Sequence, residues 1–379
     1  MTKLKGTLNP RGKWLTTELP EIMFEDTEVG RMKKRIWDAP MSEIDRILRD
    51  DFGIPAPSEL GQPGSYIQNT PRSTVIKRRK NNDIVIVPIG CTENHGLHAN
   101  SGLDTFMVSQ ICEGVRRYTV KQGREAALAF PPLNYGGHPY HHVGMPGSVI
   151  IPARTIEETL IYTMLGLWDD GFRKIILVNN HGHHWMLEAA IQEFFKRFQL
   201  PAFVTLVDWH RVVREFFYAR PDRDDTVSSQ FVHADEAETS IGLLLFPDML
   251  DMASAVDTEP DSVMLQGHYD TACDAYRRPH SWVEAQGHSA MEIFGTPEGV
   301  VGYPSRATAQ KAKRPIAAIC SYISLMIDRI LTALPPGQTP PLDKVTMRTP
   351  EELAPCLREP LSEGWMSVHG LKKIGVFND

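Results

Sequence analysis

Apolar residues in this chain fall into two rhythms. From about residue 82, short β-branched runs alternate with longer segments of helical period. Ile84-Val85-Ile86-Val87 and Ile175-Ile176-Leu177-Val178 read as buried strands, over 84–89 and 174–179. Further strands are predicted near 126–130 and 202–207, and helices near 104–119, 154–170, 184–197 and 209–218, with Gly171 as a C-cap. This alternation predicts an α/β fold with a mostly parallel sheet and helices on both faces. A helix at 234–246 stops at Pro247, and 251–305 reads as irregular chain. A helix at 307–333 is predicted to break or kink at Pro315.

The ends of the chain lack this alternation. Residues 1–80 read as an N-terminal extension, with one amphipathic helix near Met41–Asp50 and a Pro/Gly loop after it. Its apolar residues Trp14, Leu15, Ile22, Met23, Phe24, Ile36 and Trp37 have no evident local core, so it is expected to cover a neighbouring subunit or the mouth of a site. Residues 81–334 form the expected catalytic domain, and 335–379 a tail that begins Pro335-Pro336-Gly337.

Composition narrows the function classes. The chain has 379 residues, with 42% apolar and 23% charged, which is ordinary for a soluble globular protein. A formal charge of −7 argues against a nucleic-acid surface. No apolar run approaches the roughly 18–20 residues that span a bilayer, and no secretory signal is visible at Met1. The five cysteines, 91, 112, 273, 320 and 356, are odd in number and scattered, which fits a reducing cytoplasm.

The chemistry-bearing residues follow the two clearest strands. Glu93-Asn94-His95-Gly96-Leu97-His98 and then Asp104 come after the first, and Asn179-Asn180-His181-Gly182-His183-His184 after the second. Loops at the carboxyl ends of parallel strands are where sites assemble, and carboxylates with imidazoles are ligands for divalent metals. Glu93 and His95, two apart in extended chain, can face one site. Asp104 can bridge two ions about 3.5–4 Å apart, or cap the helix that follows it. Cys91 reads better as a small buried residue than as a ligand. A third cluster, His233-Ala234-Asp235-Glu236-Ala237-Glu238, is either an acidic helix start or a site element. In the second case His233 carries a proton, and Glu238 is a ligand or an orienting partner.

Together these clusters resemble the creatininase family of metal-dependent hydrolases. Glu93, His95, Gly96, His98 and Asp104 match its first motif at the family spacing. His142 with Pro146-Gly147-Ser148 matches its Pro-Gly turn, and Asn179 through His184 match its third motif in part. His233-Ala234-Asp235 with Glu238-Thr239-Ser240 matches the fourth, and Gly299 through Pro304 resemble a late Gly/Pro segment. The resemblance implies a three-layer α/β/α sandwich, two divalent ions (manganese or zinc) and a homo-oligomer, often a hexamer. It implies Glu93, Asp104 and His181 on one ion and His95 with the shared Asp104 on the other. The last ligand is left open between His183 and Glu238. His183 and His184 stand where the family usually has Gly and Asn, which argues against creatinine as substrate.

The two terminal segments and the extra histidines resemble a subgroup acting on inositol-derived ketones. That likeness implies a small cyclic 1,3-diketone such as 3-dehydro-scyllo-inosose, opened by C–C hydrolysis to 5-dehydro-L-gluconate. His233, or one of the group His138, His141 and His142, would deliver the proton. The alternatives are a C–N hydrolase on a cyclic amide or formamide, and a non-catalytic metal-binding protein.

Overall fold

The computed structural model describes residues 13–20, 22–129, 131–137, 144–220, 222–229, 231–259, 296–341 and 346–374. His138, His141 and His142, and most of the segment 251–305, lie outside them.

In chain order the elements are β1 (Trp14–Thr16), β2 (Met23–Glu25), α1 (Glu28–Asp38), α2 (Met41–Arg46) and α3 (Arg72–Arg79). Then come β3 (Ile84–Ile89), α4 (Leu103–Lys121), β4 (Ala127–Leu128), α5 (Ala153–Asp169), β5 (Lys174–Asn179) and α6 (His184–Phe198). β6 (Phe203–Asp208), α7 (Trp209–Val212), α8 (Glu236–Leu245), α9 (Ala309–Ala333) and α10 (Pro350–Leu357) complete the series. The main sheet is parallel, in the order β4-β3-β5-β6.

Every residue of β3 and β5 is buried, as their continuous β-branched runs require when helices cover both faces. Ile84, Ile86, Ile176 and Val178 point into one core with α4, α8 and α9. Val85, Val87, Ile89, Ile175 and Leu177 point into the other, with α5 and α6. The result is the expected three-layer α/β/α sandwich.

Packing departs from expectation at both ends of the chain. Ile22, Phe24, Ile36 and Trp37 do have a core: they are buried in the layer formed by α4, α8 and α9. Arg314 on α9 donates to the carbonyls of Ile36 (2.9 Å) and Ala39 (2.7 Å), and Lys33 pairs with Glu215 at 2.9 Å. Trp14 and Met23 remain exposed. In the tail, Leu353, Cys356 and Val368 join the α5/α6 core.

Three helices also differ. α9 runs from Ala309 to Ala333 without a break at Pro315, which sits in its second turn with its side chain buried. α9 is long and apolar enough to cross a membrane by length and composition, which corrects the reading that no stretch qualifies. Its Ala312, Ile316, Ile319, Ile323 and Ile327 are buried in the core instead. The helix expected over 209–218 is one turn, because Val213 (φ −126°, ψ 26°) leaves the helical well before a 3₁₀ turn at Arg214–Phe217. Asp104 is not the N-cap of α4; Gly102 is.

Candidate metal centre

The loops leaving β3 and β5 and the start of α8 meet at the carboxyl end of the sheet. Gly90 permits the first approach. A Cβ there would lie 2.4 Å from the Thr105 Cα, so only glycine lets the end of β3 pack against the first turn of α4. That contact turns Asp104 inward, and its side chain is almost fully buried.

Three overlapping groups of ligand atoms converge here, and two of them share Asp104. In one, His181 Nδ1 lies 2.8 Å from Glu93 Oε2 and 3.2 Å from Asp104 Oδ2. In the other, His95 Nε2 lies 3.6 Å from Asp104 Oδ1 and 3.7 Å from Glu238 Oε2. Within each group the ligand atoms lie within 4.8 Å of one another; Asp104 belongs to these two, and Glu93, His95 and His233 make the third. Cys91 Sγ joins the first group.

His95 shows what the second group suits. Its Nδ1 is 3.0 Å from the Glu93 carbonyl, which can only accept, so the proton sits on Nδ1. In the neutral ring, the form that binds a metal, Nε2 then carries the lone pair; it is buried and makes no hydrogen bond. A buried acceptor aimed between two carboxylate oxygens is costly by itself and is satisfied by a cation.

The electrostatics agree. Burial would lower the His95 imidazole, but Asp104, then Glu238 and Glu93, outweigh it and push it up to about 10. Burial pushes the Glu238 carboxyl well above its usual range; His95 opposes this, and the charges of Asp235, Asp104 and Glu93 add to it. Carboxylates crowded this closely around one imidazole also favour a divalent ion.

The third cluster is part of the same site. Ala234 sits at φ 50°, in the left-handed region, and its N–H donates to Glu238 Oε2 at 2.6 Å. Asp235 caps α8 by accepting from Ala237 N (2.8 Å) and Glu238 N (3.0 Å). His233 Nε2 donates to the Asn94 carbonyl at 2.6 Å, which turns Nδ1 toward Glu93 (3.6 Å) and Glu238 (4.0 Å).

His183 and His98 face elsewhere. His183 Nε2 donates to Asn179 Oδ1 at 2.9 Å, and its Nδ1 packs over Gly136, where a Cβ would come within 2.7 Å. His183 joins none of the converging groups among the described residues. His98 Nε2 is 2.9 Å from Thr239 Oγ1, and burial, with His95 nearby, lowers it to about 4.

Other participants were not singled out by the sequence. Asn180 donates to Asp104 Oδ1 at 2.9 Å and accepts from the Trp209 indole N–H. Asp208, His210 and Arg211, at the end of β6 and in α7, line the same cavity as Glu93, His181, His233 and Glu238. The strand-end rule that exposed the first two motifs applies equally to β6 and would have found them.

An open parallel sheet that gathers carboxylates and imidazoles beside a cavity at its strand ends defines a hydrolase with a divalent-metal centre. Sequence comparison agrees: the creatininase family profile, described as creatinine amidohydrolase, matches residues 69–327. The chain is 38% identical over 306 residues to the 3-dehydro-scyllo-inosose hydrolase of Thermotoga maritima, covering 81% of this chain and 96% of that protein. It is 25% identical over 187 residues to the creatinine amidohydrolase of Pseudomonas putida, covering 47% of this chain and 70% of that one. The structure of a manganese creatininase superimposes with a TM-score of 0.55 at 19% identity, over 72% of this chain and 99% of that one. This chain belongs to the creatininase family.

Proposed function

We propose that this hydrolase holds two divalent ions, manganese or zinc, and opens 3-dehydro-scyllo-inosose to 5-dehydro-L-gluconate. The observation that carries the two-ion reading is the pair of ligand groups that meet at Asp104, with His95 Nε2 buried and without a hydrogen bond. In this reading Glu93, Asp104 and His181 hold one ion, and His95, Asp104 and Glu238 the other. His183, turned to Asn179, holds neither. The substrate is supported by the 38% identity to the Thermotoga hydrolase over nearly its whole length.

When bound, the two ions supply a water activated at neutral pH and a counter-charge for a developing oxyanion. The remaining steps belong to the protein. Water oxygen adds to one ring carbonyl, and the bond to the carbon between the carbonyls breaks. The electron pair passes to that carbon as the enolate of the second carbonyl. His233 Nδ1 faces the carboxylate-lined centre, and the Asn94 carbonyl fixes its tautomer, so it takes the water proton and returns it to the enolate carbon. The new acid leaves as a carboxylate.

The test is turnover of a cyclic 1,3-diketone, creatinine and a formamide by protein loaded with manganese or zinc, with metal measured per chain. Preferred cleavage of creatinine or the formamide would overturn the substrate, and one ion per chain in active protein the dinuclear reading. The same reading includes a homo-oligomer, with a hexamer favoured, as the family match over residues 69–327 implies. A single-chain mass by light scattering would contradict it.

A further inference from the structure

The cavity has a wall that the two ligand groups do not use. β6 delivers Asp208 to its end, and the turn α7 follows with His210 and Arg211; all three line the cavity. Asp208 is held by Asn179 Nδ2 at 3.3 Å. It stands 3.6 Å from Arg211 Nε and 3.8 Å from His210 Nδ1.

Arg211 and His210 keep hydrogen-bonding capacity in reserve. At 3.6 Å the Arg211–Asp208 contact is an ion pair rather than a hydrogen bond, and the Arg211 side chain is 32% exposed. His210 is buried between the rings of Trp209 (4.1 Å) and Phe231 (4.9 Å), and its Nε2 makes no hydrogen bond. A rigidly packed imidazole, a planar guanidinium fork and a carboxylate on one wall suit neighbouring hydroxyl and carbonyl oxygens of one ring. Among the described residues, Arg211 is the one lysine or arginine on the cavity lining.

We propose that Asp208, His210 and Arg211 form a polyol-binding wall that selects the hydroxylated ring, with Arg211 as its main anchor and Asp208 positioning the guanidinium. This rests on the reading of the substrate as a hydroxylated cyclic 1,3-diketone. The wall makes no bond in the reaction. It holds the ring so that the reacting carbonyl faces Glu93, Asp104 and Glu238. It also favours substrates that carry hydroxyls over those, such as creatinine, that lack them. A site built to hydrogen-bond substrate hydroxyls rejects analogues without them by roughly 10⁴-fold or more.

The test compares 3-dehydro-scyllo-inosose with cyclohexane-1,3-dione, which has the reacting diketone and no hydroxyls, in metal-loaded protein. In R211M the ratio of kcat/KM for the two should fall at least about tenfold, through KM for the hydroxylated ring. Metal content should stay unchanged, the rate on cyclohexane-1,3-dione should fall by less than that on the hydroxylated ring, and R211K, which keeps the charge and loses the fork, should fall between. A ratio within about twofold of the parent would overturn the proposal. If the parent opens neither diketone, the functional reading fails and calorimetry with scyllo-inositol decides the wall by itself. Binding by the parent that R211M and D208N weaken supports it; no binding, or equal binding by all three, overturns it.

Discussion

Asn180→Leu is the most informative single change near the centre, because Asn180 ties Asp104 to the scaffold without belonging to either ligand group. Its Nδ2 donates to Asp104 Oδ1 at 2.9 Å, and its Oδ1 accepts from the Trp209 indole. Asn180, Trp209 and Asp104 are all buried, with Asn180 at the edge of the cavity. Leucine keeps the volume and removes both bonds. The bond to a charged carboxylate contributes about 1.5–3 kcal/mol, and the orphaned indole N–H costs about 1–3 kcal/mol. Losing a partner that orients a ligand weakens metal binding by about 10- to 100-fold, or about 1.4–2.8 kcal/mol. Because Asp104 belongs to both ligand groups, both ions should weaken together. Competition with a chromogenic chelator measures each ion, and thermal melts of metal-free protein measure stability separately. Trp209→Phe should lower the melting temperature and leave the affinity closer to that of the parent. A folded Asn180→Leu protein whose two metal affinities stay within about twofold of the parent would refute the argument.

Other changes separate ligands, proton carriers and scaffold. Asp104→Ala should cost both ions and His95→Ala one, as read by metal content per chain. His233→Ala should keep both ions and lose about 10²–10⁴-fold in kcat, and unchanged turnover would remove His233 from the chemistry. Lys174→Met leaves Asp83, otherwise paired at 2.6 Å, buried without its cation; the expected loss is about 3–5 kcal/mol by urea denaturation. Ala234→Gly should hold stability within about 1 kcal/mol, because the native φ of 50° suits glycine, whereas Ala234→Val should destabilise and weaken the ion held by Glu238.

Much of the fold was legible because β3 and β5 are buried on both faces and therefore spell their burial as unbroken β-branched runs. The N-terminal segment was not, because its stability is not local. Ile36 and Trp37 look stranded until α9 arrives, and Arg314, which donates to their carbonyls, lies 278 positions beyond Ile36. α7 was overread for a related reason. Trp209, Phe216 and Phe217 pack on the core from a broken turn, and that packing overrides the helical spacing of the sequence. Asn180 stood in plain view inside a motif, yet its partners are 76 positions before it and 29 after.

The choice between His183 and Glu238 shows how far a motif reaches and where geometry takes over. By spacing, His183 follows His181 as closely as a ligand pair requires, and both are buried. The loop after β5 turns it away, since Asn179 at the strand end accepts its proton and in turn donates to Asp208. Glu238 reaches His95 from a different element because Asp235 fixes the first turn of α8, and the left-handed Ala234 aims its N–H at the Glu238 carboxylate. Charge favours the same arrangement. If two divalent ions bind, three carboxylates with Glu238 would leave one net positive charge to be met by a bound anion; with His183 in its place two charges would remain. A hydrolase whose reaction develops one oxyanion is better matched by the first count, so the imidazole at 183 is more useful as a strut between Asn179 and the wall at Asp208 than as a ligand.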